Sequence, residues 1–202
     1  RRWPDAPAHR AIDVAASDSE YVRPSPADAN EVTEAWKVIA QLEHMPVCLA
    51  LTRQALPTMD RTKYAPATGV AKGGYILADA VGGKPEVILI GTGSEVPLCV
   101  EAYEKLTAEG VKARVVSLPS WDLFEKQTKE YRDSVLPPEI TRRVTVEMGT
   151  TLGWERYAGT TGTMIGMTSF GASAPLKDLL IEFGFTAEAV YQAAKKQMRN
   201  AK

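Results

Sequence analysis

The stretch VILIGTGSEV, residues 87–96, decides the fold, because it leads an apolar strand through a glycine turn into the start of a helix. An uninterrupted aliphatic run of this length is typical of a strand covered on both faces of a sheet. A dinucleotide-binding turn would need a third glycine where Val96 stands, and Glu95 would repel a diphosphate. No lysine follows the glycines as it does in a P-loop. The pattern therefore favours a structural turn.

The same alternation of short apolar runs and longer amphipathic runs continues from residue 74 to the end of the chain. Such alternation is typical of strands that cross over through helices onto one sheet, so the sequence predicts an α/β fold. The predicted strands are 87–90, 113–117, 144–147 and 164–167. The predicted helices are 95–108, 122–132, 153–158, 176–183 and 187–200. Gly110 is predicted to end the first of these helices and Thr186 to cap the last.

The first part of the chain, before residue 74, has a different sequence pattern. Prolines interrupt residues 1–27, which are predicted to be mostly loop apart from a short helix at 12–17. Asp28 and Glu31 match a capping box, and apolar residues then recur at helical spacing, so a helix is predicted over 29–43. A polar run over 57–74 is interpreted as containing an interdomain linker.

Between that helix and the polar run, the apolar stretch VCLAL, residues 47–51, is predicted to be a strand buried on both faces. It leads into Arg53. Ligands of open parallel sheets bind beyond the carboxyl ends of strands, and a guanidinium can give a phosphate two hydrogen bonds. Arg53 is therefore a candidate anion ligand. The alternative is a surface arginine paired with a carboxylate.

A carboxylate and an imidazole lie four residues apart in a proline-braced loop, at Asp5 and His9. Both could reach one pocket, and His9 could transfer protons, although loop histidines are more often simply exposed to solvent. His44 follows a predicted helix and is interpreted as a partner of the helix dipole. Cys48 and Cys99 have no metal-ligand partner at suitable spacing, so zinc is not indicated.

Composition limits the classes of function. The chain has 202 residues, with 24 Lys and Arg against 25 Asp and Glu, so no overall charge attracts nucleic acid or an anionic membrane. No apolar run approaches the roughly 20 residues that span a bilayer. Both cysteines are predicted to be core thiols, which favours a reducing, cytoplasmic location. The chain begins RRWPD without an initiator methionine, and we interpret this as a cut inside a longer protein.

Aromatic residues cluster in the short segment WERYAG, residues 154–159. One short helix cannot bury Trp154 and Tyr157 against itself. A place in the core and a place at a subunit interface both stay open for these side chains.

Several segments together, in order along the chain, resemble the carboxyl-terminal third of transketolase. They are PADANE (26–31), TRQALP (52–57), KGGYIL (72–77), GTGSEV (91–96), RVVSLPS (114–120), VLP (135–137), GMTSFGASAP (166–175) and FGFT (183–186). The resemblance covers nearly the whole chain.

The resemblance implies a three-layer αβα domain with a mostly parallel twisted sheet, preceded by an incomplete α/β segment. It divides the chain into the tail of the pyrimidine-binding domain (1–66), a linker (67–74) and the C-terminal domain (75–202). It also implies a cytoplasmic homodimer that moves a two-carbon ketol unit between sugar phosphates in the pentose phosphate pathway. The intact enzyme would need thiamine diphosphate and a divalent metal, magnesium or calcium. The Gly-Asp-Gly metal motif and the glutamate that activates the pyrimidine have no candidates in this chain, which is therefore expected to be inactive alone and to bind no cofactor.

The resemblance also assigns roles to residues. Arg53 matches the arginine that binds the substrate phosphate, which favours the anion-ligand interpretation above. Asp5 matches an aspartate that contacts a substrate hydroxyl, and His9 a histidine beside the cofactor and the reacting carbons. Ala6 and Ala8 replace a glycine and a threonine of the family motif, which puts the placement of that loop in question.

Two other interpretations stay open on the sequence. The chain could be a separate module for dimerisation or regulation. It could also be part of another thiamine enzyme with the same domain order, a deoxyxylulose-phosphate synthase or the beta chain of a pyruvate dehydrogenase. The TRQALP and FGFT segments fit transketolase better.

Overall fold

The strand, turn and helix at residues 87–96 form as the sequence predicts. The computed structural model describes residues 21–199. The strands in this range are β1 (Tyr75–Ala78), β2 (Val87–Gly91), β3 (Ala113–Ser117), β4 (Arg143–Thr150) and β5 (Thr163–Met167). The α-helices are α1 (Ala29–Ile39), α2 (Val96–Ala108), α3 (Trp121–Glu125), α4 (Lys129–Val135), α5 (Glu155–Ala158), α6 (Leu176–Glu182) and α7 (Ala187–Arg199). Short 3₁₀ helices cover Ala67–Lys72 and Gly93–Glu95.

The five strands form one sheet in the order β1-β3-β2-β4-β5. Neighbouring strands from β3 to β5 are parallel, and β1 pairs antiparallel with β3 at the edge. The chain leaves the central β2 toward β3 on one side and later returns to β4 on the other. The carboxyl end of β2 is therefore the switch point of this sheet, where α/β proteins most often place ligands.

Helices cover both faces of the sheet, which confirms the three-layer α/β prediction. Alternate residues of β2 face opposite layers, because successive strand side chains point to opposite sides. Val87 and Leu89 share a core with residues of α2 and α7. Ile88 and Ile90 share the other core with residues of α3, α4 and α5. All five residues of β2 are buried, as an uninterrupted aliphatic strand requires.

Most element boundaries in this domain follow the sequence patterns. Gly110 takes a left-handed conformation after α2, with φ 78°, and Thr186 Oγ1 accepts a hydrogen bond from Ala189 N at the start of α7. The predicted helix at 122–132 is instead two helices, because Thr128 caps a new helix through a hydrogen bond from Tyr131 N. Strand β1 was not predicted. It has only four residues, and its partner β3 is distant in sequence.

The prediction of a buried strand over 47–51 is wrong. This segment makes one isolated parallel bridge, from Val47 to Val22, and Leu51 is 56% exposed. Cys48 is also exposed, so the prediction of a core thiol holds only for Cys99. Among the described residues, only those near Val22 pair with the segment, so neither of its faces is fully covered. Helix α1 likewise ends at Ile39 and not at residue 43.

The aromatic residues of 154–159 lie in the core of the described chain. Trp154 and Tyr157 are both buried, and the Trp121 ring makes edge-to-face contacts with each, at centroid distances of 4.9 and 5.1 Å. Side chains from several elements supply this packing, so it could not be predicted from the sequence of one short helix alone.

The predicted linker, residues 67–74, forms a 3₁₀ helix followed by two buried glycines. A Cβ on Gly73 would lie 2.2 Å from Phe124 N, so this stretch packs directly against α3. The proposed domain boundaries at 66 and 75 stay a prediction. No helix within residues 21–199 is both long and apolar enough to cross a bilayer.

Two buried carboxylates hold the segment before β1, the upstream segment, against the sheet. Asp28 caps α1 by accepting a hydrogen bond from Glu31 N, and Arg61 Nη2 donates to both of its carboxylate oxygens at 2.9 Å. Glu31 Oε2 accepts from Ala27 N, and its Oε1 accepts from Tyr75 Oη and Ser117 Oγ. The predicted cap is confirmed, and it belongs to a larger network that joins α1 to β1 and β3.

Asp28→Ala is expected to lower the free energy of unfolding by about 3 to 5 kcal/mol, because it leaves the half-buried Arg61 guanidinium without its partner and removes the cap of α1. Urea unfolding followed by circular dichroism measures the change. Asp178→Ala is the matched control, since Asp178 is exposed in the first turn of α6, and its loss is expected to cost less than about 1 kcal/mol. Similar losses in the two variants would contradict the role of the network.

Candidate functional site

Arg53 lies on the exposed segment that follows the bridge at Val47. Thr52 Oγ1 accepts a hydrogen bond from Gln54 N, and this local turn surrounds Arg53. Within residues 21–199, the Arg53 guanidinium makes no hydrogen bond or ion pair. The alternative interpretation, an arginine paired with a nearby carboxylate, is therefore not what the structure describes.

The segment that carries Arg53 lies against residues 22–24, which reach the carboxyl edge of the sheet. Cys48 N donates to Val22 O and Ala50 N donates to Pro24 O, at 3.0 and 2.9 Å. Ser25 then meets the turns that follow β2 and β3, since Ser25 N donates to Pro119 O and Gly93 N donates to Ser25 O. Arg53 is thus connected through a short backbone path to the switch point of the sheet.

The other two predicted site residues, Asp5 and His9, lie outside the residues that the structure describes. Their position relative to Arg53 stays a prediction. His44 is exposed beside Glu43, with 4.0 Å between Nε2 and the carboxylate. Because α1 ends at Ile39, His44 lies on the surface beyond the last turn of the helix, and the interpretation of His44 as a partner of the helix dipole is wrong.

The turn after β2 is closed to a phosphate, in agreement with its interpretation as a structural turn. Gly93 has φ 53°, and a Cβ at this position would lie 2.6 Å from Ser25 Oγ. The Gly93 N–H donates to Ser25 O at 3.0 Å, and Glu95 N donates to Thr92 O. Backbone donors that a phosphate would use are therefore already occupied, and the Glu95 carboxyl is buried beneath them.

Glu95, with Glu147 nearby, is a buried acid at the switch point whose environment the sequence patterns did not reveal. Burial and the nearby Glu147 raise the pKa of Glu95 to about 8, although Ser94 Oγ donates to Glu95 Oε1 at 2.6 Å. Trp154 Nε1 donates to Glu147. Glu95 therefore stays protonated near neutral pH, because burial and the nearby Glu147 both disfavour its charged form.

The described residues offer no metal site beside Glu95. No cluster of three or more His, Cys, Asp or Glu side chains that could hold a metal ion occurs over residues 21–199. The signal in the sequence was Glu95 itself, an acid directly after a glycine turn. The proximity of Glu147 could not be inferred, because β2 and β4 are adjacent only through the strand order.

The chain is similar to a known family over most of its length. Residues 73–186 match the family model described as the transketolase-like C-terminal domain. Transketolase from Geobacillus stearothermophilus is 46% identical over 196 residues, which cover 95% of this chain and 29% of that protein. Transketolase 1 from Escherichia coli (strain K12) is 48% identical over 195 residues, again 95% of this chain and 29% of that protein. The chain therefore spans less than a third of the length of these relatives.

Solved structures of transketolases are also similar to this chain. Transketolase from Leishmania mexicana is similar with a TM-score of 0.85 and 32% identity, covering 95% of this chain and 27% of that one. Transketolase from Pichia stipitis, in a complex with sedoheptulose-7-phosphate, is similar with a TM-score of 0.83 and 36% identity, covering 94% of this chain and 27% of that one.

Glu95→Gln is expected to change how stability depends on pH. Since the folded pKa is about 8 and the ordinary pKa is 4.5, the folded state binds more protons than the unfolded state between these values. The contribution of Glu95 to the free energy of unfolding is fully present below about pH 4.5 and is lost as the pH rises through about 8. The glutamine of the variant cannot ionise. The free energy of unfolding of the variant, relative to that of the unmodified chain, should therefore rise by up to roughly 3 to 5 kcal/mol between pH 5 and pH 9.

Urea unfolding at pH 5, 7 and 9 measures the difference. Glu182→Gln is the control, because Glu182 is exposed at the end of α6. If Glu95→Gln and the unmodified chain follow parallel curves, the proposed proton on Glu95 is wrong.

Proposed function

The chain belongs to the family of transketolase-like C-terminal domains, and we propose that it acts as the carboxyl-terminal part of a thiamine-diphosphate-dependent transketolase. The reaction moves a two-carbon ketol unit from a ketose phosphate to an aldose phosphate. The similarity to transketolases over 95% of the chain supports this function over the deoxyxylulose-phosphate synthase, the pyruvate dehydrogenase beta chain and the separate module. We propose a cytoplasmic homodimer for the whole enzyme.

The unpaired guanidinium of Arg53 is the observation that carries this proposal in the described residues. Other arginines of the fold are held by carboxylates or by backbone carbonyls, as Arg61 is by Asp28 and Arg143 by Tyr157 O. Arg53 instead stays exposed on a turn fixed by Thr52, with its N–H donors free for an anion. A planar guanidinium matches two oxygens of a phosphate, and such an anchor positions the distant reacting carbons of the sugar.

Asp5 and His9 complete the proposed site on the strength of the sequence resemblance. Asp5 would accept a hydrogen bond from a substrate hydroxyl. His9 would take up and return protons at the hydroxyls of the reacting carbons, a task that suits an imidazole of near-neutral pKa. Ala6, which stands where the family has glycine, limits how closely this loop can follow the family's path.

The family implies thiamine diphosphate and a divalent metal in the whole enzyme, and the described residues do not fit either group. The only glycine turn after a buried strand in this range has its donors occupied and an acid beneath it. The same range contains no cluster of three acidic, histidine or cysteine ligands. We therefore propose that residues outside 21–199 hold the cofactor, and that the chain alone is inactive.

In the whole enzyme, Arg53→Ala is expected to raise KM for phosphorylated ketoses by about 10- to 100-fold, because a charge-assisted bidentate contact is lost. KM for an unphosphorylated ketol such as hydroxypyruvate should change less than about threefold. Steady-state kinetics on both substrates measure the effect. Arg199→Ala, at the exposed end of α7, is the matched control. Equal losses on both substrate types would reject a phosphate role for Arg53.

The 202-residue chain alone is expected to bind no thiamine diphosphate. Isothermal titration calorimetry with thiamine diphosphate and Mg²⁺ should give no saturable heat, whereas a full-length transketolase under the same conditions should. Retained helix content by circular dichroism shows that the chain is folded. A saturable signal from the chain alone would mean that the cofactor site lies within it.

A further inference from the structure

A basic pocket lies at the amino edge of the sheet, on the face covered by α3, α4 and α5. Its volume is about 480 Å³. The pocket opens where β4 begins and where the loop before β5 passes over α5. Segments near Arg53 meet the opposite, carboxyl edge through Ser25 and Gly93, so the pocket lies at the other end of the strands. The walls include the side chains of Phe124, Leu136, Arg143, Arg156, Thr160 and Thr161.

Arg143, the first residue of β4, forms part of the pocket wall with a guanidinium that meets only backbone carbonyls. Its Nε donates to Ile140 O, its Nη1 to Tyr157 O, and its Nη2 to Leu136 O and Pro137 O. No carboxylate in the described chain lies within ion-pair distance. Burial lowers the pKa of Arg143, since the charge is partly removed from water. Among residues 21–199, one N–H of Nη1 has no acceptor.

Arg132 on α4 is a second guanidinium with unused donors. Its Nη1 contacts Glu125, which also accepts a hydrogen bond from Tyr157 Oη at 2.9 Å. Its Nε is buried and makes no hydrogen bond within the described residues. Its Nη2 also makes no hydrogen bond there, and these N–H groups can donate to an acceptor supplied from outside.

The charges around the pocket do not balance. Four cations line it: Lys129, Arg132, Arg143 and Arg156. The carboxylates in the lining are those of Glu125 and Asp133, so two positive charges are in excess. Lys129 pairs with Asp133, whereas Arg156 Nη1 lies 3.9 Å from Glu125, which already contacts Arg132.

We propose that this pocket binds a small phosphate monoester, with the dianionic phosphate between Arg132 and Arg156 and near the free N–H of Arg143. The two excess positive charges match the charge of a phosphate monoester at pH 7 to 8. Threonine hydroxyls at 160 and 161 offer further hydrogen bonds, and Phe124 and Leu136 give an apolar wall for the ester group. The inference goes beyond the proposed function, because it concerns a binding site of the C-terminal domain itself.

Glycerol 2-phosphate is a suitable probe, since it is a phosphate monoester without the ketone of a transketolase donor. Isothermal titration calorimetry on the 202-residue chain should show saturable binding at one site. Arg156→Gln and Arg132→Gln should each weaken it about tenfold, because a charge-assisted hydrogen bond is lost. Thr160→Trp should weaken it as much without changing any charge, since the indole would fill the pocket. Urea unfolding shows whether each variant is folded.

Two control variants decide where the probe binds. Arg199→Gln removes the same charge from the exposed end of α7, and Arg53→Gln removes it from the proposed substrate site; both should leave the affinity unchanged. Absence of saturable binding overturns the proposal. So does binding that is lost with Arg53→Gln alone, which would locate the probe at the substrate site. Equal weakening by Arg199→Gln and Arg156→Gln, with Thr160→Trp unaffected, would mean attraction to a diffuse basic surface and would also overturn it.

Discussion

The buried carboxylate of Glu31 is the interaction on which the arrangement of this chain depends. It accepts hydrogen bonds from Ala27 N, Tyr75 Oη and Ser117 Oγ, at 2.7 to 2.8 Å, and so joins α1 to β1 and to the carboxyl end of β3. Burial raises the pKa of Glu31, and the three donors oppose that shift. A buried acid is tolerated in this position because three donors satisfy its carboxyl oxygens, and the network fixes where the upstream segment meets the sheet. The proposed phosphate ligand, Arg53, is positioned through that segment.

Local sequence signals predicted the parts of the fold whose causes are local. Strand β2 follows from an aliphatic run, and α7 begins where Thr186 can accept a hydrogen bond from Ala189 N. Strand β1 was not predicted, because four residues carry little periodicity and its pairing with β3 depends on distant residues. The apolar run at 47–51 has the composition of a buried strand, but burial requires covering neighbours, and among the described residues only a bridge to Val22 is present.

The candidate site also has features that local sequence predicts and features that depend on distant residues. Arg53 could be selected as an anion ligand from its place after an apolar run, and only the fold shows that no carboxylate of residues 21–199 pairs with it. Glu95 was visible as an acid in a glycine turn, yet its high pKa depends on burial in the fold and, to a smaller extent, on Glu147, which the sheet brings near through the order of β2 and β4. Arg143 shows the same limit, since the sequence does not indicate that the loop over residues 136–140 and the helix α5 bring four carbonyl oxygens to its guanidinium.

The two ends of the sheet differ in the charge they can accept, and this difference follows from how each end is packed. At the carboxyl end, Glu31 and Glu95 are buried and the N–H of Gly93 is occupied by Ser25. A turn with the outline of a phosphate loop therefore cannot bind phosphate there, because its donors are used and a negative charge would meet an acid. Anions must be recognised by side chains that extend away from these acids. Arg53 is the proposed ligand on the upstream segment, and Arg132 and Arg156 are the proposed ligands at the amino end, where carbonyl oxygens hold Arg143 in place.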